Sequence, residues 1–204
     1  MTTKTIAITG ATGQFGAIAL DLLKAKQANV LALVRSPEKI SGVEAHKFDY
    51  SKTEGQVEAL QGVDTLILVS SSEVGQRALQ HNNVIESAKK AGVKHIIYTS
   101  LLGATNDNTV KSLAGEHVET EAALKASGIT YTILRNGWYT ENYTASIPAA
   151  LANNAFYGSA KNGKISSVLR AELAEAAVNV ALSEGHENQT YELAGSTSWT
   201  LADL

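Results

Sequence analysis

Cysteine is absent from the 204-residue chain, so disulfides, thiolate catalysis and cysteine-ligated zinc are excluded. A basic excess is lacking too. The net charge is −3, and nothing in the balance points to nucleic acid or to an anionic membrane surface. No run approaches the roughly 18 consecutive apolar residues that a membrane span needs. The opening "MTTKTIAITG" lacks the basic-then-apolar layout of a secretory signal, and its apolar residues belong to a strand. Repeats, low-complexity segments and metal-ligand clusters are also missing. These absences leave a reducing cytoplasm as the expected compartment, with neither nucleic acid nor membrane as a partner.

What is present is a globular composition, 44% apolar and 18% charged, in a chain long enough for one domain with a sizeable core. Short β-branched runs alternate with amphipathic stretches. "KTIAITG" (4–10), "NVLALVR" (29–35), "DTLILVSS" (64–71), "KHIIYTS" (94–100) and "ITYTILRN" (129–136) read as strands, "EAHKFDY" as a weak one and "TYELAG" (190–195) as a late one. Helices are expected over 14–26, 53–60, 76–91 and the stretch around "AGEHVETEAAL". Near-continuous apolar strands separated by helices mean a parallel sheet covered on both faces, an α/β doubly wound fold of the Rossmann type. The tail "STSWTLADL" starts with helix-capping residues and then stops, so a fragment or a natural truncation is expected.

"ITGATGQFG" follows the first strand and opens the first helix, the context that makes a glycine motif informative. Gly10 lets the chain turn off the strand, Gly13 lets backbone approach a pyrophosphate, and Gly16 allows close packing of helix on strand. The first N–H groups of the helix then point at the anion along the positive end of its dipole. Gly10, Ala11, Thr12, Gly13, Gln14 and Phe15 are therefore the candidate phosphate loop. Where NAD-preferring sites carry Asp or Glu at the end of the second strand, this chain has Arg35. A guanidinium suits a 2′-phosphate, with Lys39 in reach to assist, so NADPH is the expected cofactor.

"TGATGQFG", "ALVRSPEK", "FDY", "LILVSSSEVGQR", "HNNVIESAKKAGVKHIIYTSL", "EHVETE", "LRNGWYTENY" and "GHENQTYELAG" together carry a family likeness. On them the chain resembles the atypical short-chain dehydrogenases of the NmrA-like group, and within it the bacterial NADPH:quinone oxidoreductases of type 2, with triphenylmethane reductases more distant. The resemblance implies that the loop from Gly10 to Phe15 and Arg35 hold the phosphates. It implies Asp49 and Tyr50 near the adenine, Ser70, Ser71 and Ser72 along the cofactor, and Asn136 by the nicotinamide. Family members run on into a small C-terminal lobe that closes over the substrate, and this lobe is expected to be missing from residues 1–204.

Ordinary short-chain dehydrogenases carry Tyr-x-x-x-Lys on the helix after the fifth strand, the tyrosine acting as proton donor. Here Ser100 ends that strand, but the helix reads His117-x-x-x-Glu121. A metal site would have too few ligands. An acid–base pair, with Glu121 raising the pKa of His117, is a second reading. A polar pair at the sheet edge is the third and preferred one, with Val118, Ala122 and Ala126 lying on the sheet and Glu116 and Glu119 toward water. Chemistry without a dedicated acid suits quinones, because the hydroquinone anion formed is a far weaker base than an alkoxide. The expected activity is NADPH-dependent hydride transfer to quinones or similar flat acceptors, without flavin or metal, in a pocket formed by Ser100, Trp138 and Tyr139, with Tyr143 one turn on. Tyr98 is expected to pack under that site. The rival is a protein that senses NADP and regulates by contact. Flanking helices leave a homodimer open.

Overall fold

The computed structural model of the chain describes residues 4–105 and 111–204. Seven strands form one parallel sheet: β1 (Thr5–Thr9), β2 (Asn29–Val34), β3 (Glu44–Lys47), β4 (Thr65–Leu68), β5 (His95–Leu101), β6 (Thr130–Asn136) and β7 (Gln189–Leu193). Their order across the sheet is β3-β2-β1-β4-β5-β6-β7. The direction of winding reverses between β1 and β4, which pair Ile6 with Thr65 and Ile8 with Ile67. Ligands in such sheets bind beyond the carboxyl ends of the strands at that reversal.

Residues alternate across the sheet with period two, so each central strand feeds two cores. Ile6 and Ile8 join one core, where α1 (Gln14–Ala25) and α7 (Arg170–Leu182) lie. Ala7, Leu66 and Leu68 join the other, covered by α2 (Gln56–Ala59), α3 (Arg77–Ala91) and α4 (Lys111–Ala126). The doubly wound architecture expected from the alternating runs is therefore present. No helix among the described residues is long and apolar enough to cross a membrane.

Three helices went unassigned in the sequence: α5 (Thr140–Thr144), α6 (Ile147–Ala152) and α7. The α7 pattern was legible. Leu173, Ala174, Ala177, Val178 and Ala181 are buried at helical spacing, but small alanines give a weaker contrast than leucines.

Two expectations need correction. The tail does not start a helix. Trp199 instead pairs with Ile165 through N–H···O bonds of 3.0 and 2.8 Å, and residues 201–203 form a turn. The buried face of α4 is also not Val118, Ala122 and Ala126, since Ala122 and Ala126 are exposed. Ala114, His117, Thr120, Glu121 and Leu124 face the sheet. The polar residues win that face because partners for each wait on the strands and on α3.

Candidate active site

The turn after β1 is built from backbone. Gly10 has φ +61°, a left-handed conformation that costs a side-chain-bearing residue energy. Its carbonyl accepts the Gly13 N–H at 2.8 Å. A Cβ on Gly16 would stand 2.2 Å from that same carbonyl oxygen, so only hydrogen fits where the first turn of α1 crosses the loop. Gly13 caps the helix with no side-chain hydrogen bond and no acidic residue follows in the first turn. The leading N–H groups of α1 are thus left for a ligand.

This loop floors a cavity of about 640 Å³. Thr12, Gln14 and Phe15 form part of its wall, with Arg35 after β2, Asp49 and Tyr50 after β3, and Ser70, Ser71 and Ser72 after β4. The structure so brings together most of the residues singled out in the sequence. Ala11 belongs to the loop by its backbone, while its side chain is buried in the core. Lys39 sits on a single 3-10 turn, Pro37–Lys39, and does not reach the cavity wall. Arg35 is exposed and forms no ion pair among the described residues.

Asp49 accepts the Ser51 hydroxyl at 2.7 Å and the Ser51 N–H at 3.0 Å, and these bonds hold its carboxyl below the usual range. Tyr50 donates to the Val69 carbonyl at 2.5 Å and lies 2.7 Å from the Thr9 hydroxyl. Burial pushes its phenol up, so it acts as wall and not as acid.

The far wall carries Tyr139 and Arg170. The segment leading into α7 runs beside the end of β6, where Val168 N–H donates to the Trp138 carbonyl at 3.1 Å and Thr140 N–H to Val168 at 3.0 Å. That return sets the Arg170 guanidinium 4.6 Å from the centre of the Tyr139 ring, a cation–π contact. Arg170 went unnoticed in the sequence, because nothing local links it to Tyr139. Trp138, expected in the pocket, is 49% exposed and does not line the cavity. Alternation along the chain turns it the other way from Tyr139. Tyr143 packs edge-on against Trp199 at 4.9 Å, and so helps to seat the tail.

Asn136, at the end of β6, is 3% exposed and does not line the cavity, and among the described residues neither atom of its amide meets a partner at hydrogen-bonding geometry. An orphaned buried amide is costly, and this one stands beside Tyr139, whose phenol it influences. The glycine cradle is the feature of the cavity that a dinucleotide fits.

Behind β5 and β6 the polar residues are already engaged. Tyr98, buried as expected, bonds through its hydroxyl to His117 Nδ1 at 2.7 Å. Ser100 is buried, outside the cavity wall, and donates to Glu121 Oε1 at 2.7 Å. Arg135 grips both oxygens of Glu121, at 3.0 and 2.8 Å. His117 and Glu121 therefore form no wet edge. Nor does Glu121 charge His117, because burial, helped by Arg77, lowers the imidazole to about 4. Glu116 does not point to water either. It ion-pairs with Arg77 at 2.9 Å. Among the described residues no group of three or more His, Asp or Glu is placed to hold a metal ion.

A family model described as NAD(P)H-binding matches residues 10–184. The chain is 53% identical to quinone oxidoreductase 2 of Escherichia coli over 98% of this chain and 71% of that protein. It is 33% identical to an NmrA-like family domain-containing oxidoreductase of Aspergillus flavus, over 97% and 68%. The solved E. coli NADPH-dependent quinone oxidoreductase with NADPH superposes with a TM-score of 0.91 at 52% identity, over 97% of this chain and 72% of that one. Citrobacter sp. triphenylmethane reductase with NADP(H) gives 0.91 at 38%, over 98% and 73%. With the glycine cradle, the reversal point and these likenesses in agreement, the chain belongs to the NAD(P)H-binding family of atypical short-chain dehydrogenases, in its NmrA-like group.

Proposed function

We propose that this protein is an NADPH-dependent reductase that passes hydride directly to quinones or similarly flat, electron-poor acceptors. One observation carries the reading. Where ordinary short-chain dehydrogenases keep a tyrosine acid, Tyr98, Ser100, His117 and Glu121 are buried and spend their hydrogen bonds on one another and on Arg135. None of these four is a free acid at neutral pH. Burial holds the Tyr98 phenol up and the His117 imidazole down. A ketone that accepts hydride becomes an alkoxide and needs a proton at once. A quinone becomes an aromatic hydroquinone anion, a weak enough base for water to protonate. Four positions that offer no proton thus favour the quinone over the ketone.

Gly10, Ala11, Thr12, Gly13, Gln14 and Phe15, with the open N-terminus of α1, would hold the diphosphate. Arg35 would take the 2′-phosphate and Asp49 and Tyr50 would wall the adenine end. Ser70, Ser71 and Ser72 would run along the cofactor, and Asn136, beside Tyr139, would stand at the nicotinamide end. NADPH, when bound, supplies the hydride. Tyr139, stiffened by Arg170, offers a flat wall on which an acceptor ring is oriented, and orientation is most of what such a transfer needs from the protein. Two of the relatives named above act, by their names, on quinones and on triphenylmethanes, both conjugated acceptors.

Mixing the protein with NADPH and a small benzoquinone, while following nicotinamide absorbance, tests the reading. A rate no higher than the uncatalysed one overturns it. Tight NADPH binding with no turnover would favour the NADP-sensing alternative, which the engaged polar residues of α4 also suit.

A further inference from the structure

Ser71 lies in the loop after β4, outside helix and strand, yet it is only 7% exposed. Every polar atom it has is taken by a side chain from one face of α3. Its N–H donates to His81 Nε2 at 2.9 Å. Its hydroxyl donates to Gln80 Oε1 in a very short contact. Its carbonyl accepts Arg77 Nε at 2.6 Å. Residues 77, 80 and 81 share a helix face by their spacing, and all three are buried.

The three are themselves anchored on α4. Arg77 pairs with Glu116 Oε2 at 2.9 Å. The other oxygen of Glu116 accepts the N–H groups of Gly75 and Arg77 at 2.8 and 3.1 Å, at the start of α3. His81 Nδ1 stands 3.0 Å from the Thr120 hydroxyl, which donates to the Glu116 carbonyl at 2.8 Å. A backbone N–H can only donate, so His81 Nε2 bears the lone pair and Nδ1 the hydrogen. The imidazole is a fixed, neutral acceptor.

Burying an arginine, a glutamine and a histidine around a single loop residue is expensive unless every bond is made. Folding alone gives no reason for it, since an exposed serine would be satisfied by water. The cavity supplies the reason: Ser70, Ser71 and Ser72 all line it, with Arg77 beside them, while Gln80 and His81 stand behind the wall.

We infer that Arg77, Gln80 and His81, backed by Glu116, are positioning residues that preset the Ser70–Ser72 loop to receive the cofactor. This rests on reading the cavity as the NADPH site. A loop fixed in advance spares the ordering cost on binding. The loop follows β4, whereas Arg35, the candidate partner of the 2′-phosphate, follows β2. Losing the grip on Ser71 should therefore weaken NADPH and NADH by the same factor.

Calorimetric titration of both coenzymes into wild type, Gln80→Met, His81→Leu and His81→Gln tests this, alongside melting of the free proteins. Gln80→Met and His81→Leu are expected to weaken each coenzyme about tenfold, with His81→Gln, which keeps an acceptor, recovering most of the loss. A purely structural role would lower the melting temperature and leave binding by folded molecules unchanged. Dissociation constants within about twofold of wild type for Gln80→Met and for whichever His81 variants fold would overturn the inference. If His81→Leu does not fold, Gln80→Met decides alone. Wild type that binds neither coenzyme would instead overturn the cofactor reading beneath it.

Discussion

The Ser100 hydroxyl donates its hydrogen bond to Glu121 at 2.7 Å, so it has none to offer a substrate carbonyl. Glu121 is in turn held by Arg135 through both of its oxygens. Glu121→Gln keeps a partner for Ser100 but strands a mostly buried guanidinium, with side-chain exposure of 18%. The expected loss is about 3 kcal/mol of unfolding free energy, the low end for a broken buried pair because Glu192 also contacts Arg135. Urea melts measure it. Turnover by the folded variant should stay within about threefold, since a lost general acid costs about a hundredfold or more. A fall of that larger size would restore the proton-donor role.

Arg35→Glu should separate the two coenzymes. It removes a cation from the cavity rim and adds repulsion against a phosphate. NADPH affinity should fall by about a hundredfold while NADH changes by less than about threefold, on the scale of one to two charged hydrogen bonds. Titration with each coenzyme gives the ratio. Equal effects on both would refute the assignment of Arg35.

Gly16→Ala tests the cradle. The added methyl would meet the Gly10 carbonyl oxygen at 2.2 Å and its carbon at 2.7 Å, both backbone atoms that cannot turn aside. Loop and helix must part, at an expected cost of about 3 kcal/mol, with loss of the calorimetric signal for NADPH. Unchanged melting and binding would show that the turn is looser than its geometry implies.

Acid should unfold the protein earlier than its carboxylates alone require. His81 is lowered to about 3 and His117 to about 4 by burial, while an unfolded histidine titrates near 6.5. Below about 6.5 the unfolded chain binds protons that the folded chain refuses, so stability is full above that pH and falls as pH drops toward 4. Each imidazole contributes up to about 1.4 kcal/mol per pH unit over that window. Chemical melts at pH 7, 6 and 5 should show the decline, and His117→Gln should reduce its slope. A flat profile over this range would mean that both rings are charged in the folded state.

Most of the architecture was legible in the chain. "TIAIT", "VLALV" and "TLIL" are buried on both faces, and such runs have no stable place except a covered parallel sheet. The cavity wall was legible for a related reason. Gly10, Arg35, Asp49 and Ser70 each follow a strand, and parallel strands bring their carboxyl ends to one edge. The helix α4 was misread because its buried face is polar. Hydrophobic spacing pointed to Val118, Ala122 and Ala126, and no pattern along one helix reveals that a tyrosine, a serine and an arginine on two strands will satisfy its histidine and glutamate.

The sequence by itself determined the covered parallel sheet, the bend of bare backbone after its first strand, and a cation just beyond the end of its second. These are local matters of periodicity, glycine and charge. Tertiary structure alone decided that Arg170 would lie over Tyr139, that three side chains of α3 would grip Ser71, and that the polar face of α4 would be sealed and not reactive. Each of these joins residues on separate elements, and their meeting depends on how helices settle on the sheet, a distance that no spacing along the chain encodes.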